Sequence, residues 1–286
     1  MIDLHLHSTI SDGSDSPDRI VELAHQAGCA AIALTDHDSQ EGVPLASKRG
    51  EELGVVVVPG CEISCAWNPG VMHVLCYYVQ PETEPLHQEL EQLRADREER
   101  NHRIVTRLIQ LGLPITYEEV QEEARRTQPD NKGTMVGKPH FAAVLVRKGV
   151  VSSLAEAFDL YLAKGRAAYV PKARLSIKDV IALTRSSGGV TSLAHPLSLG
   201  IGFNELENTV RELAAEGLVG LEAMYPTYSP GERQLLIEIA HRTGLVPTGG
   251  SDYHGSYKEG IKICSGTGDL VVPDEVLNNL ANRISG

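Results

Sequence analysis

Short apolar runs alternate along the chain with longer stretches in which apolar positions recur every three or four residues. IDLHLH (residues 2–7) leads into SPDRIVELAHQAG, which has Ser16 at a helix N-cap position, Pro17 at the first helical position and Gly28 past the last turn. A strand over AAIALTDHD, a helix around PLASKRGEELG, and strands over VVVVPGCEIS and VMHVLCYYV follow. VVVV has no polar alternation, as expected of a strand buried on both faces. Further along, GGVTSLAHP, LVGLEAM and LVPTGGSDYHG resume the rhythm between the helices NELENTVRELAAEG and PGERQLLIEIAHRTG. Strands alternating with helices predict right-handed βαβ units on a parallel sheet. About seven such units predict an α/β fold, a closed or nearly closed (β/α) barrel. An open doubly wound sheet ranks second, because no Gly-rich phosphate loop follows the first strand.

The strand rhythm breaks between residues 82 and 174. EPLHQELEQLRADREERNHRIVTRLIQLG is charge-laced, with apolar positions at Leu86, Leu90, Leu93, Ile104, Leu108 and Ile109. Thr116 with Glu119, and Ser153 with Glu156, have capping-box spacing. We therefore expect residues 1–81 and 175–286 to form the barrel, and residues 82–174 a helical insertion over its C-terminal face that caps the substrate site. A pair of elaborated crossover helices is the alternative.

Composition narrows the class. Net charge is −12, which argues against a grip on long duplex nucleic acid. Residues 130–174 depart from this balance, with eight Lys/Arg against three acids; that is +5, leaving −17 elsewhere. Such a segment is either a solvated basic face or a pocket for a small anion. No run of 18 apolar residues suggests a membrane span, and no apolar leader precedes the first strand. Five cysteines without CxxC pairing then fit reduced thiols in a cytoplasmic protein.

Side-chain direction supplies the chemistry. In IDLHLH, Ile2, Leu4 and Leu6 share one face, while Asp3, His5 and His7 share the other. Of eleven histidines, six (His5, His7, His37, His73, His195, His254) lie in or at the ends of expected strands. Asp12, Glu62 and Asp252 join them at strand ends. In an α/β barrel those ends form one face, so residues 250 positions apart converge. His25 and His241, near helix C-termini, and His87 and His102, on the charged stretch, read as surface residues. Mixed imidazole and carboxylate donors without thiolate suit Mn²⁺, Fe²⁺ or Zn²⁺. Nine donors exceed one ion's needs, and clustered divalent ions are a known solution for phosphoester hydrolysis.

The ordered set HLHSTISDG, TDHD, Glu62, His73, AHP and SDYH resembles the PHP (polymerase and histidinol phosphatase) family from residue 2 to about 255. The resemblance implies a distorted (β/α)₇ barrel and a trinuclear centre, with manganese the leading metal. By motif, His5, His7, Glu62 and Asp252 would hold one ion, and Glu62 would bridge to a second held by His73 and His195. Asp12, His37 and His254 would hold the third; some members carry His where this chain has Asp12. The general acid for the leaving group stays open; His195, His254 or a metal alone could serve. VGKPHFAAVLVRKG and FDLYLAKGRAAYVPKARLS resemble stand-alone phosphoesterases acting on nucleoside 3′,5′-bisphosphates, some of which trim short RNA from the 5′ end. Lys138 and His140, then Arg147 and Lys172, become candidates for contacting substrate phosphate. Alternatives are a histidinol-phosphate phosphatase, an amidohydrolase-like C–N hydrolase lacking an evident strand-borne bridging lysine, or a non-catalytic metal module.

Overall fold

The computed structural model describes residues 1–127 and 135–284. Asp130 and Lys132 of the basic segment lie outside the described residues. The chain runs β1 (Ile2–Leu6), α1 (Pro17–Gln26), β2 (Ala31–Leu34), α2 (Val43–Leu53), β3 (Val56–Cys65) and β4 (Met72–Tyr77). The helices α3 (Leu86–Gln110), α4 (Tyr117–Thr127), α5 (Lys138–Arg147), α6 (Leu154–Ala157) and α7 (Ile177–Ser186) come next. The chain then continues through β5 (Val190–Leu193), α8 (Phe203–Glu216), β6 (Gly220–Met224), α9 (Pro230–Arg242), β7 (Val246–Gly249) and α10 (Glu275–Ala281). Two compact units result, one of Met1–Leu90 with Arg174–Gly286 and one of Glu91–Ala173.

The first unit is an α/β barrel of seven strands in sequence order. It is nearly closed: Leu6 bridges Tyr253 in parallel beyond β7, and His7 N–H donates to Tyr253 O at 3.0 Å. One expectation is corrected. β4 runs antiparallel to both β3 and β5, so the sheet is mixed rather than parallel. The six residues joining β3 to β4 hold no helix and are too short for a crossover, so β4 has to return as a hairpin.

The strand faces divide as the alternation in IDLHLH suggests. Ile2 and Leu4 pack with Val58, Leu75 and Tyr77, and Leu6 packs with Ile20, Ile32 and Leu34. Asp3, on the opposite face, is fully buried and accepts N–H bonds from Ser251 at 2.8 Å and Cys264 at 2.7 Å. It thereby ties the loop after β7 beneath the first strand. The expectation of five reduced thiols is also corrected: Cys29 and Cys264 form a disulfide, while Cys61, Cys65 and Cys76 are free and buried. The Cys29 and Cys264 Cα atoms lie 6.4 Å apart, within the range a disulfide spans. No helix among the described residues is long and apolar enough to cross a membrane.

The second unit has its own core, with Ile104, Leu108, Val120, Phe141, Val144 and Leu145 at its centre. Thr116 and Glu119 form the reciprocal cap at the start of α4. Ser153 accepts from Glu156 N–H at α6, but the Glu156 carboxylate takes its bonds from Ser152 instead.

Candidate metal centre

All nine expected ligands come together at one end of the barrel. β1 and the residue after it deliver His5 and His7, both fully buried, and β3 and β4 deliver Glu62 and His73 on a diagonal of the antiparallel ladder, Glu62 opposite Leu75 and His73 opposite Ser64. His195 and Asp252 follow β5 and β7 and carry left-handed backbones (φ 26° and 49°), conformations that cost energy for any residue but glycine. Gly250 lets this turn approach β1, since a Cβ there would collide with the backbone and Cβ of His5.

Four donor atoms form the tightest nest. His5 Nε2 and His7 Nε2 stand 3.1 Å apart, and each lies 3.3–3.5 Å from both Glu62 Oε2 and Asp252 Oδ1. A tetrahedral ion with bonds of about 2.1 Å separates its donors by roughly 3.4 Å, so these spacings suit a small divalent ion. The other carboxylate oxygen of Glu62 faces a second group: Oε1 lies 3.0 Å from His73 Nδ1 and 3.0 Å from His195 Nε2. Asp12 gathers the third, with Oδ2 3.6 Å from His37 Nε2 and Oδ1 3.4 Å from His254 Nε2. His7 also offers Nδ1 to this group, 3.5 Å from Asp12 Oδ1. His37 Nδ1 is buried and lies 3.1 Å from Glu62 Oε2 without hydrogen-bond geometry. Among the described residues three sets of donors lie within ion-sized spacing, His7/Asp12/His37/His254, His5/His7/Asp252 and His37/Glu62/His73; His195 stands outside these sets, with its Nε2 on Glu62 Oε1 at 3.0 Å. The donor set therefore fits divalent metal.

Charges follow from burial set against pairing. Burial opposes protonation of His5, but the carboxylates of Glu222, Asp252 and Glu62 outweigh it and raise its pKa well above normal. His7 is likewise buried, yet Asp252 and Glu62 raise it to about 10. Burial would raise the carboxyls of Glu62 and Asp252, but the surrounding imidazoles hold both well below the usual range. His37 goes the other way: burial dominates and lowers it to about 4.

Several supporting residues escaped the sequence reading. Glu222 on β6 is fully buried; its Oε1 lies 2.8 Å from His5 Nδ1 and its Oε2 accepts His195 N–H at 2.5 Å. It fixes the His5 tautomer so that Nε2 faces the nest. Its signal was in plain view, a lone carboxylate in the apolar run LVGLEAM, the same argument that singled out Glu62. Asp36 accepts three bonds, from Ser8 N–H, Ser8 Oγ and Ser11 Oγ, and braces the loop after β1. Lys258 and Tyr257 line the opening, a cavity of about 260 Å³ shared with His37, Glu62, His73, His195, Asp252 and His254.

The residues expected to contact phosphate belong to the second unit. Lys138 Nζ lies 3.4 Å from Leu162 O and 4.9 Å from the Tyr169 ring centroid. His140 Nδ1 accepts Gly137 N–H at 3.0 Å and closes the N-terminal turn of α5. Arg147 pairs with Glu123 at 2.9 Å, and Lys172 is partly exposed in the segment before α7.

Comparison with known proteins agrees with this geometry. The PHP domain family model matches residues 3–127. The chain is 32% identical over 255 residues to the 5′-3′ exoribonuclease Rnm of Escherichia coli, covering 88% of this chain and 84% of that protein. It is 28% identical over 253 residues to the 3′,5′-nucleoside bisphosphate phosphatase of Chromobacterium violaceum, covering 88% and 87%. The crystal structure of a metal-dependent phosphoesterase from Bifidobacterium adolescentis superposes with a TM-score of 0.79 at 30% identity, covering 99% of this chain and 96% of that one.

Proposed function

Since the chain belongs to the PHP domain family of metal-dependent phosphoesterases, we propose that it removes the 3′-phosphate from nucleoside 3′,5′-bisphosphates, converting pAp to AMP, and trims short RNA from the 5′ end. The observation that carries this reading is the Glu62 carboxylate, one oxygen facing His5 and His7 and the other facing His73 and His195. A carboxylate so placed suits neighbouring ions. We assign His5, His7, Glu62 and Asp252 to the first, Glu62, His73 and His195 to the second, and Asp12, His37 and His254 to the third, with manganese preferred over iron or zinc. Bound there, such ions supply a nucleophile at neutral pH and neutralise charge on the phosphoryl oxygens.

The chain's own residues do the rest. Glu222 and Ser198 set the tautomers of His5 and His195, Ser198 through Oγ at 2.9 Å from His195 Nδ1. His254 Nδ1 lies 2.9 Å from Asp252 O, which leaves Nε2 facing Asp12. Lys258 lines the cavity with its ammonium paired to Asp252 at 2.5 Å, and would have to share that charge with an anionic substrate. His195 and His254 are the proposed sources of the leaving group's proton. Among the basic residues of the second unit, Lys138, His140, Arg147 and Lys172 are the proposed contacts for the substrate's remaining phosphate; Arg147 would first have to leave Glu123. A small cavity and net negative charge both suit a nucleotide or single-stranded end better than a duplex.

The test is phosphate release with Mn²⁺ from adenosine 3′,5′-bisphosphate, histidinol phosphate and a short 5′-phosphorylated RNA, side by side. Fastest release from the bisphosphate is expected. Preference for histidinol phosphate, or no turnover with any divalent ion, would overturn the assignment.

A further inference from the structure

Tyr257 stands at the mouth of the metal cavity and is 52% exposed. Single apolar side chains in water are ordinary on a protein surface, and what sets this ring apart is its position. Of the eight residues lining the cavity, six are proposed metal ligands and a seventh, Lys258, pairs with Asp252 at 2.5 Å. Those seven are taken up with ions and phosphate. Among the described residues of the lining, Tyr257 alone adds a large apolar face for the rest of a substrate.

The turn that carries the ring is fastened on both sides. Tyr257 ends a short 3₁₀ turn, Gly255–Tyr257, that begins directly after His254. Ser256 N–H donates to Ser14 Oγ at 2.8 Å, and Ser14 N–H donates to His254 O at 3.1 Å. Gly255 has a left-handed backbone (φ 67°), and a Cβ there would collide with Ser14 Oγ, so the turn lies directly against the loop after β1. Tyr253, on the other side of His254, donates its hydroxyl to Asp15 Oδ2 at 2.8 Å. Beyond the ring, Lys258 ties the chain to Asp252. Tyr257 thus sits three residues from a proposed ligand of the third ion, and its neighbour bonds a proposed ligand of the first. A ring presented in this way avoids most of the ordering cost that a loose loop meets on binding.

We propose that Tyr257 is the stacking platform for the nucleobase of a nucleotide whose phosphate is bound at the metal centre, and that it takes purines and pyrimidines alike. The proposal rests on the phosphoesterase reading and adds the part of the substrate that meets the ring. Stacking uses the π-face that every base has, and the lining holds no Asn or Gln to read a base edge, so tolerance of the base follows.

Calorimetry on the Mn²⁺-loaded full chain tests this without turnover, with AMP, UMP and ribose 5-phosphate as probes. Wild type should bind AMP at least about tenfold more tightly than ribose 5-phosphate, with UMP between them. Tyr257→Ala should bring AMP to within about twofold of ribose 5-phosphate, whereas Tyr257→Phe and Tyr257→Trp should keep the preference. With adenosine 3′,5′-bisphosphate as substrate, Tyr257→Ala should raise KM about tenfold and hold kcat within about threefold. An AMP preference that survives in Tyr257→Ala, or that is missing from wild type, would overturn the proposal. So would a loss in Tyr257→Phe equal to that in Tyr257→Ala, because the hydroxyl and not the ring would then make the contact. No turnover of the bisphosphate beside an AMP preference that depends on the ring would overturn the phosphatase reading and leave the platform supported.

Discussion

Tyr225 donates its hydroxyl to Asp252 Oδ2 at 2.5 Å, and Lys258 reaches the same oxygen at 2.5 Å, so Asp252 keeps Oδ1 for the histidine pair of β1. Burial, then the charge of Asp252, push the Tyr225 hydroxyl up, so it remains a donor throughout the working pH range. Tyr225→Phe leaves the ring in place and frees the carboxylate to turn. We expect metal affinity to fall about tenfold, read by competition with a chelating dye. An unchanged affinity would show that Asp252 is held by Lys258 alone.

Glu222 performs the corresponding task for His5. Glu222→Gln keeps the shape but lets the amide donate as well as accept, so the His5 tautomer is no longer fixed. Metal affinity should drop by about 10–100-fold, with KM for substrate much less affected. Equal loss of binding in the Michaelis step would instead place Glu222 at the substrate.

Protons and metal compete for the same nitrogens. With His7 raised to about 10, its imidazole carries a proton at pH 7, whereas His37, lowered to about 4, does not. Loading metal at pH 7 should therefore release protons from the His5 and His7 pair and none from His37, measurable by calorimetry in buffers of different ionisation enthalpy. Affinity should rise from pH 6 to pH 9. For metal-free protein the sign is opposite. The raised His7 contributes stability fully below its ordinary value of 6.5, and that contribution disappears as pH climbs through about 10.

Backbone approach is testable at Gly250. Gly250→Ala puts a methyl group into the His5 backbone, and either β1 or the turn after β7 has to move. Destabilisation of about 1–3 kcal/mol is expected from denaturant titration, together with weakened metal binding. A variant as stable as wild type would mean that this turn is free to shift.

Much of this was legible in the sequence, for a physical reason. Period-two alternation in IDLHLH separates a core face from a chemical one, and barrel geometry then gathers strand ends that are far apart in the chain. His5, His7, Asp12, His37, Glu62, His73, His195, Asp252 and His254 stood out because polar groups at the ends of apolar strands need partners. What stayed hidden depended on three-dimensional detail. The reversal of β4 turned on a six-residue link, read as one more unit in a parallel series. Glu222 lay inside a strand that looked like packing, and Tyr225 and Lys258 find Asp252 only once β6 and the segment after β7 are placed. Cys29 and Cys264 are 235 positions apart and no local pattern pairs them.

The central claim is that the nine donors around Glu62 hold divalent ions which act together on a phosphoester. It is tested most directly by adding Mn²⁺ stepwise to metal-free protein while measuring bound metal and phosphate release from adenosine 3′,5′-bisphosphate on the same samples, for wild type, His7→Ala and Asp252→Asn. We expect wild type to bind three ions per chain, with release appearing only as the Glu62 sites fill, and both variants to bind fewer ions and fall to background. Full metal occupancy without release, or release undiminished in either variant, would contradict it.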